Sequence, residues 1–174
     1  MTDLYSESDI KTTLESMAAA IVKDRTMPLA FIGIETKGHI IAQRLKKLCE
    51  PNFDYTIQTG ILDISLYNST TTDTGFVSLG RSSITFPLQD KIIILVSEEI
   101  DTGKTITAAL NALSDYDDPQ VIECCCLVNK NNLTRPIYIN HVGFNIDSTS
   151  QAFNKKTTSL FYEIDGEDAI KFDN

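Results

Sequence analysis

Basic residues, paired cysteines and long apolar runs are all scarce in this chain of 174 residues. The sequence has 15 lysines and arginines against 24 aspartates and glutamates, a formal net charge of -9 at pH 7. Binding nucleic acid without regard to its sequence requires a basic surface, so this charge balance weighs against that function. A small anionic metabolite is still a possible ligand, because a helix N-terminus and one or two lysines can bind it.

No apolar run is long enough to span a bilayer. The first residues, "MTDLYSESDIK", are polar and acidic, without the basic segment and apolar core of a signal peptide. We therefore expect a cytoplasmic protein with no membrane partner.

The four cysteines lack the CxxC spacing of a structural zinc site. Cys124, Cys125 and Cys126 are consecutive within the apolar run "VIECCCLV". Alternate residues of a strand face opposite ways, so these three side chains cannot converge on one metal ion. The cysteines predict core packing, with Cys49 alone near the end of a helix.

Apolar segments with strand and helix spacing alternate along the chain. Residues 8–24, 38–49 and 103–116 predict helices, the first with Ser8 as its cap and Ile10, Leu14, Met17 and Ile21 on one face. The predicted strands are 29–34, 55–66, 91–96, 121–128, 138–146 and 159–164, with a long polar loop over 67–88 and a solvated acidic tail over 163–174. Strands that are apolar on both faces predict an α/β fold with a parallel sheet covered by helices, in one domain spanning 1–174.

The segment "TGKT", residues 102–105, follows a predicted buried strand and starts a predicted helix. Unpaired N–H groups at such a position form an anion-binding nest, and Gly103 would let the backbone approach a phosphate closely. A Walker A loop is excluded because Glu98 stands where its first glycine is required. The alternative is an ordinary helix start with a capping threonine.

Acidic residues precede this turn, at Glu98, Glu99 and Asp101, together with Ser97. A phosphate would not favour carboxylates beside it unless they bind something else, such as ribose hydroxyls or Mg²⁺. Amides for a phosphate and acids for hydroxyls together indicate a sugar 5-phosphate.

The stretch "IILVSEEIDTGKT", residues 93–105, resembles the phosphoribosyl pyrophosphate (PRPP) motif of type I phosphoribosyltransferases. Three further segments, "GIETKGHIIAQRL" (33–45), "LDISLY" (62–67) and 127–146, resemble the bacterial pyrimidine operon attenuator subfamily, which is also a uracil phosphoribosyltransferase. The similarity covers roughly residues 8 to 165. It implies a type I fold with a small hood, and transfer of phosphoribosyl from PRPP to a nucleobase with Mg²⁺ and release of pyrophosphate.

The resemblance also implies a role for individual residues. In the PRPP motif, Glu98 would bind the ribose hydroxyls beside Ser97, Glu99 and Asp101, and the 5-phosphate would bind Thr102, Gly103, Lys104 and Thr105. The pyrophosphate would bind Thr36, Lys37 and Gly38, and Mg²⁺ would reach Glu98 through ribose hydroxyls and water. Asp63 and Tyr67 would precede a closing loop, and Asn129, Lys130 and Val142 would border the base. Catalysis would depend on Glu98, Lys37 and Asp101, the last as a general acid/base or, alternatively, only a helix cap.

Three positions depart from the family pattern. Ser97 replaces an acid, and losing one charged hydrogen bond there is worth about 1.5–3 kcal/mol, a tenfold to hundredfold effect. Glu99 replaces an apolar residue and is either a displaced acid or a perturbation of the loop. Asn68 stands where the loop arginine is expected, which leaves Arg81 as the nearby substitute. These departures keep open a second function, that of a catalytically weak nucleotide- or PRPP-sensing regulator.

The resemblance also bears on macromolecular partners. It implies RNA as a partner, but residues 129–135 contribute only Lys130 and Arg135 as basic groups, and the net charge opposes RNA binding. It further implies a homo-oligomer, for which the apolar face of residues 10–21 is the expected interface.

Overall fold

The computed structural model describes residues 1–65, 82–147 and 149–173. The strands are β1 (Thr2–Tyr5), β2 (Leu29–Ile34), β3 (Gln58–Leu62), β4 (Ile92–Ile100), β5 (Val121–Asn129), β6 (His141–Asn145), β7 (Thr157–Leu160) and β8 (Ala169–Phe172). The helices are α1 (Glu7–Val22), α2 (Glu35–Cys49), α3 (Lys104–Ser114) and α4 (Tyr162–Asp165).

The main sheet has five parallel strands in the order β3-β2-β4-β5-β6. Its two faces are covered by different helices, because alternate residues of each strand point to opposite sides. Phe31 and Ile94 pack with α1 and α2, whereas Ile32 and Ile93 pack with α3. The predicted α/β class is therefore confirmed.

The consecutive cysteines follow the same alternation. Cys125 lies in the core beneath α1 and α2, and Cys124 and Cys126 lie in the core beneath α3. Burial raises the pKa of the Cys126 thiol to about 12 and that of Cys124 to about 11. All three thiols are therefore core groups, as predicted.

Helix α1 begins earlier than predicted. Its cap is Ser6, not Ser8, because Ser6 and Asp9 form a reciprocal capping box in which each side chain bonds the other's backbone N–H. The apolar face with Ile10, Leu14 and Met17 is buried against the chain's own sheet. The expectation that this face forms an oligomer interface is therefore wrong.

A second, antiparallel sheet in the order β1-β8-β7 forms a small hood. The prediction of a solvated tail is wrong here, since β8 buries Ala169, Ile170 and Phe172. The predicted strand 159–164 ends at Leu160, and α4 begins at Tyr162. Helix α4 and the hood are joined to α2 by Arg44, whose guanidinium binds the carboxylates of Glu163 and Asp168. Within the described residues, no helix is long and apolar enough to cross a bilayer.

Candidate active site

The candidate site lies where β2 and β4 end side by side. These strands are adjacent and parallel, so their carboxyl ends open at the same edge of the sheet, where ligands of such folds bind. A cavity of about 680 Å³ there is lined by residues 34–38 and 97–105. The two predicted binding segments, far apart in sequence, therefore form one cavity.

Gly103 lies at the N-cap position of α3, after β4. Its φ of 85° is left-handed, and an added Cβ would lie 2.8 Å from Cδ1 of Ile137, so a side chain would fit poorly. Within the described residues, no side-chain hydrogen bond caps the N-terminus of α3. Neither Thr102 nor Asp101 therefore caps the helix, and its first N–H groups are available to an anion.

The first turn of α2, which follows β2 directly, holds the segment Thr36–Lys37–Gly38. Glu35 begins it with φ of 55°, an uncommon conformation for a residue with a side chain. Gly38 allows α2 to approach β4 closely, because an added Cβ would lie 2.5 Å from the carbonyl oxygen of Val96. This close packing brings the α2 turn beside the end of β4.

Lys37 and Glu98 meet across this cavity and both bind the hood. The Lys37 ammonium donates to the Ser159 carbonyl at 2.7 Å and to Oε1 of Glu98 at 3.3 Å. The same Glu98 oxygen accepts the N–H of Ser159 at 3.2 Å. The main chain of β7 is therefore hydrogen-bonded to two predicted PRPP-binding side chains.

Negative charge is concentrated at this edge of the sheet. Partial burial raises the pKa of Glu35, and the charges of Asp63 and Glu98 raise it further. Carboxylate oxygens are ligands that Mg²⁺ accepts, and a cation would relieve this repulsion, so the residues fit the metal. Within the described part of the chain, no three His, Cys, Asp or Glu side chains could hold a metal by themselves. A bound Mg²⁺ would therefore also need oxygens from its ligand.

Ser97 and Glu99, the two departures in the PRPP motif, both have partners. The buried Ser97 hydroxyl donates to the Glu99 carbonyl at 2.9 Å. The Glu99 carboxylate accepts a hydrogen bond from the Thr157 hydroxyl of β7. Burial raises the pKa of Glu99, although the Thr157 bond and the charge of Lys130 oppose that shift.

A second cavity, of about 510 Å³, adjoins the first and shares Glu99 and Asp101 with it. Its other lining residues are Lys130, Asn132, Ile146 and the hood segment 153–157. Asp101 accepts a hydrogen bond from Nδ2 of Asn132 at 3.1 Å, and the Lys130 ammonium donates to the Lys155 carbonyl. The predicted base-bordering Lys130 therefore lies beside the PRPP motif.

Other predicted site residues lie outside both cavities. Asn129 is buried and donates to the side-chain oxygens of Asn131 and Asn145. Val142 belongs to β6 and lines a separate cavity against α1. Asp63 follows β3 and accepts hydrogen bonds from the backbone and hydroxyl of Ser65. The predictions for Tyr67, Asn68 and Arg81 fall outside the described residues.

Sequence reasoning missed the hood residues of the site. Thr157 and Ser159 contact the acids of the PRPP motif, and Phe153 lines the second cavity. No local pattern marks them, because their position depends on the pairing of β7 with β8.

The parallel sheet, the glycine turn after β4 and the hood are those of a phosphoribosyltransferase. Residues 1–161 match the phosphoribosyl transferase domain, and the chain belongs to this family. Among its relatives, the "Bifunctional protein PyrR" of Desulfosudis oleivorans is 35% identical over 97% of this chain and 94% of its own. The protein of the same name from Syntrophobacter fumaroxidans is 33% identical, over 93% and 87% of the two chains. The predicted kinship with the pyrimidine operon regulators is confirmed.

Solved structures support the same fold. The hypoxanthine phosphoribosyl transferase of Trypanosoma cruzi superposes with a TM-score of 0.74 over 99% of this chain and 91% of its own, at 17% identity. A hypoxanthine phosphoribosyltransferase of Staphylococcus aureus gives a TM-score of 0.70 over 97% and 89% of the two chains, at 20% identity. At these identities the likeness confirms the fold and leaves the base open.

Proposed function

We propose that this protein transfers phosphoribosyl from PRPP to a nucleobase, with uracil as the base and pyrophosphate as the product. The observation that carries the proposal is the single cavity in which the nest at Gly103, the acid Glu98 and the lysine turn at Lys37 meet. These groups match the phosphate, the ribose hydroxyls and the pyrophosphate of PRPP. The kinship with PyrR proteins favours uracil over a purine.

In the proposed reaction, the bond from C1 of the ribose to pyrophosphate breaks, and its electron pair leaves with pyrophosphate. A bond from the base nitrogen to C1 forms, and the base loses a proton. Lys37 would neutralise charge on the leaving group, and Thr36 and Gly38 would hold it beside the α2 turn. Positioning and charge stabilisation would supply most of the rate enhancement.

The other contacts follow from the chain's own geometry. The first amides of α3, with Thr102, Lys104 and Thr105, would hold the 5-phosphate. Asp101 lines both cavities and would receive the proton of the base. Glu98 would hold Mg²⁺ through ribose hydroxyls and water, and the bound metal supplies charge neutralisation to the pyrophosphate.

A second candidate is a nucleotide- or PRPP-sensing regulator with little catalysis. Two observations favour it. The hydrogen bonds of Lys37 and Glu98 to Ser159 compete with any ligand of these two side chains. Ser97 occupies the position of an acid in the family motif, and its hydroxyl already donates to the Glu99 carbonyl instead of being free to donate to a ligand. A homo-oligomeric state and a cytoplasmic location stay predictions for either candidate, and RNA stays a partner that the family implies but the net charge disfavours.

Calorimetric titration of PRPP, with and without Mg²⁺, tests the proposal. A pair of variants controls for backbone strain at the phosphate nest, since Gly103 and Gly166 both have left-handed φ, at 85° and 76°. An added Cβ at Gly166 would meet nothing within 4 Å. Gly166→Ala therefore introduces the same kind of backbone strain at a position outside the candidate site. We expect Gly103→Ala to weaken PRPP binding about tenfold or more and Gly166→Ala to leave it unchanged.

A base panel with pyrophosphate detection then separates the candidates. Mg²⁺-dependent PRPP binding followed by pyrophosphate release with uracil supports the enzyme. Binding without turnover on any base favours the regulator. No binding at millimolar PRPP contradicts the enzyme and a PRPP-sensing regulator, and leaves only a regulator that senses a nucleotide.

A further inference from the structure

Glu99 lies between the two cavities of the site. It lines the first cavity beside the PRPP-binding residues and also lines the second, which extends beneath the hood. One carboxylate oxygen, Oε2, accepts the Thr157 hydroxyl. Among the described residues, Thr157 is the only donor to this carboxylate, so Oε1 can accept from a ligand.

The second cavity offers a cation beside this carboxylate. Lys130 also lines it, and its ammonium uses one N–H on the Lys155 carbonyl at 2.5 Å. An ammonium has three N–H groups, so two remain for a ligand. The charge of Lys130 acts on Glu99 and opposes the rise in the Glu99 pKa that burial causes. An acceptor and a donor therefore lie close together in one cavity.

The apolar lining of the second cavity suits a flat ring. Ile146 is buried, and Phe153 is 40% exposed. Ligand sites of this kind combine apolar contacts with a few polar groups that fix orientation. A planar heterocycle beside Ile146 and Phe153 could present its polar edge to Glu99 and Lys130.

We propose that Glu99, held by Thr157, is a specificity-determining residue that accepts the N–H of a lactam edge, while Lys130 donates to the adjacent carbonyl. This inference rests on the proposed function and specifies the class of base. Uracil carries such an –NH–CO– edge. Cytosine presents a ring-nitrogen lone pair and an amino group instead, which would face the carboxylate and the ammonium unfavourably.

Comparing uracil with cytosine tests this inference, because the two bases have the same ring size and differ in the polar edge that would face Glu99 and Lys130. The measured quantity is the ratio of kcat/KM for uracil to kcat/KM for cytosine. We expect Glu99→Gln to lower this ratio about tenfold to a hundredfold, because the glutamine amide can donate as well as accept and one charged hydrogen bond is lost.

Thr157 and a remote acid supply the controls. Thr157→Val removes the hydroxyl that holds Glu99, so the ratio should fall less, and Thr157→Ser should restore it. Glu15→Gln, at an exposed position of α1, makes the same chemical change far from the site and should leave the ratio unchanged. Thermal unfolding of each variant establishes that it is folded.

Two results would overturn the inference while the proposed function stands. One is an active wild type whose ratio is the same in Glu99→Gln. The other is a Glu99→Val variant that gains uracil activity with no fall in the ratio, which would mean that Glu99 obstructs the site. If the wild type turns over no base, the proposed function fails, and calorimetry with uridine and cytidine 5′-monophosphates decides the inference. Equal affinities of the wild type for the two nucleotides would then reject it.

Discussion

Single side chains at this site serve both the hood and the proposed ligand. Glu98 accepts hydrogen bonds from Lys37 and from the Ser159 amide, while its position in the PRPP motif is that of the ribose-binding acid. A ribose hydroxyl would have to share or replace these donors. In the proposed complex, the affinity for PRPP would therefore depend on how firmly β7 binds Glu98 as well as on the contacts to the sugar.

The replacement of a motif acid by Ser97 gives a prediction on activity. Ser97→Asp should raise kcat/KM for PRPP about tenfold, because a carboxylate bonds a ribose hydroxyl more strongly than a hydroxyl does. Steady-state kinetics with varied PRPP measures the effect. Ser97→Asn has nearly the same shape without the charge and should give little gain. Equal activity of wild type, Asp and Asn variants would show that position 97 does not contact the ribose.

The raised pKa of Glu99 gives a prediction on stability. The folded protein holds this proton more tightly than the unfolded chain, so the contribution of Glu99 to stability is greatest below the ordinary glutamate pKa of 4.5 and is lost as the pH rises through the higher folded pKa. Glu99→Gln removes this loss. The variant should therefore melt at a higher temperature than wild type at neutral pH.

Thermal melts across the acidic range provide the control. Below the ordinary glutamate pKa, wild type carries a neutral side chain at position 99 as the variant does, so their melting temperatures should converge. A variant that melts lower than wild type at neutral pH would contradict the direction of the pKa shift.

Arg44 is one of the side chains that couple helix α2 to the hood. Its guanidinium binds Asp168 through two hydrogen bonds of 2.8 Å, binds Glu163 as well, and lies 5.2 Å from the ring centre of Phe161. Paired carboxylates suit the planar fork of arginine, and a lysine could not reproduce the geometry. The position of β7 over the site therefore depends on the contact of Arg44 with Glu163 and Asp168, which lie in the segment that follows β7.

Removing this contact should loosen the hood. We expect Arg44→Met to cost about 2 kcal/mol of unfolding free energy, since it leaves the partly buried carboxylate of Asp168 and the exposed carboxylate of Glu163 without their partner. Hydrogen exchange should accelerate in β7 and β8 more than in β2, and PRPP affinity should change as β7 releases Glu98. Urea denaturation and amide exchange measure these effects.

Lys46→Met, on the same helix, is the matched control. Among the described residues, the one ion pair of Lys46 is with Glu50 at 3.5 Å, an i,i+4 contact worth about 0.5 kcal/mol or less. Equal exchange rates in the hood of Arg44→Met and wild type would show that Arg44 does not fix the hood.

The charge of the whole molecule leads to a prediction about RNA. With a net charge of -9, the chain should show little binding to RNA at physiological salt. Lys130, one of the two basic residues in 129–135, is directed to the Lys155 carbonyl, which leaves Arg135 as the other basic group there. Filter binding of a structured RNA at two salt concentrations measures this. Tight binding that weakens steeply with salt would contradict the prediction, and Arg135→Ala would then test the contact.

Local sequence predicted some elements well and others poorly. Residues 29–34 were predicted as a strand and form β2 with the same bounds, because a strand buried on both faces needs an unbroken apolar run. Residues 91–96 gave only part of β4, which continues through the acids to Ile100 since Glu98 and Glu99 find partners in the hood. The sequence-based prediction ended the strand where polar residues begin, whereas in the structure the pairing of β4 with β5 continues to Ile100.

The sequence by itself determined the family and the parallel sheet, and it located the two segments proposed to bind the phosphate and the pyrophosphate, because each depends on short patterns of neighbouring residues. The tertiary structure alone decided which distant side chains and backbone groups contact the residues of those segments. Thr157 and Ser159 reach Glu99 and Glu98 only because the chain's two ends pair as β1, β8 and β7. Such pairing joins residues distant in sequence, and no local spacing encodes it.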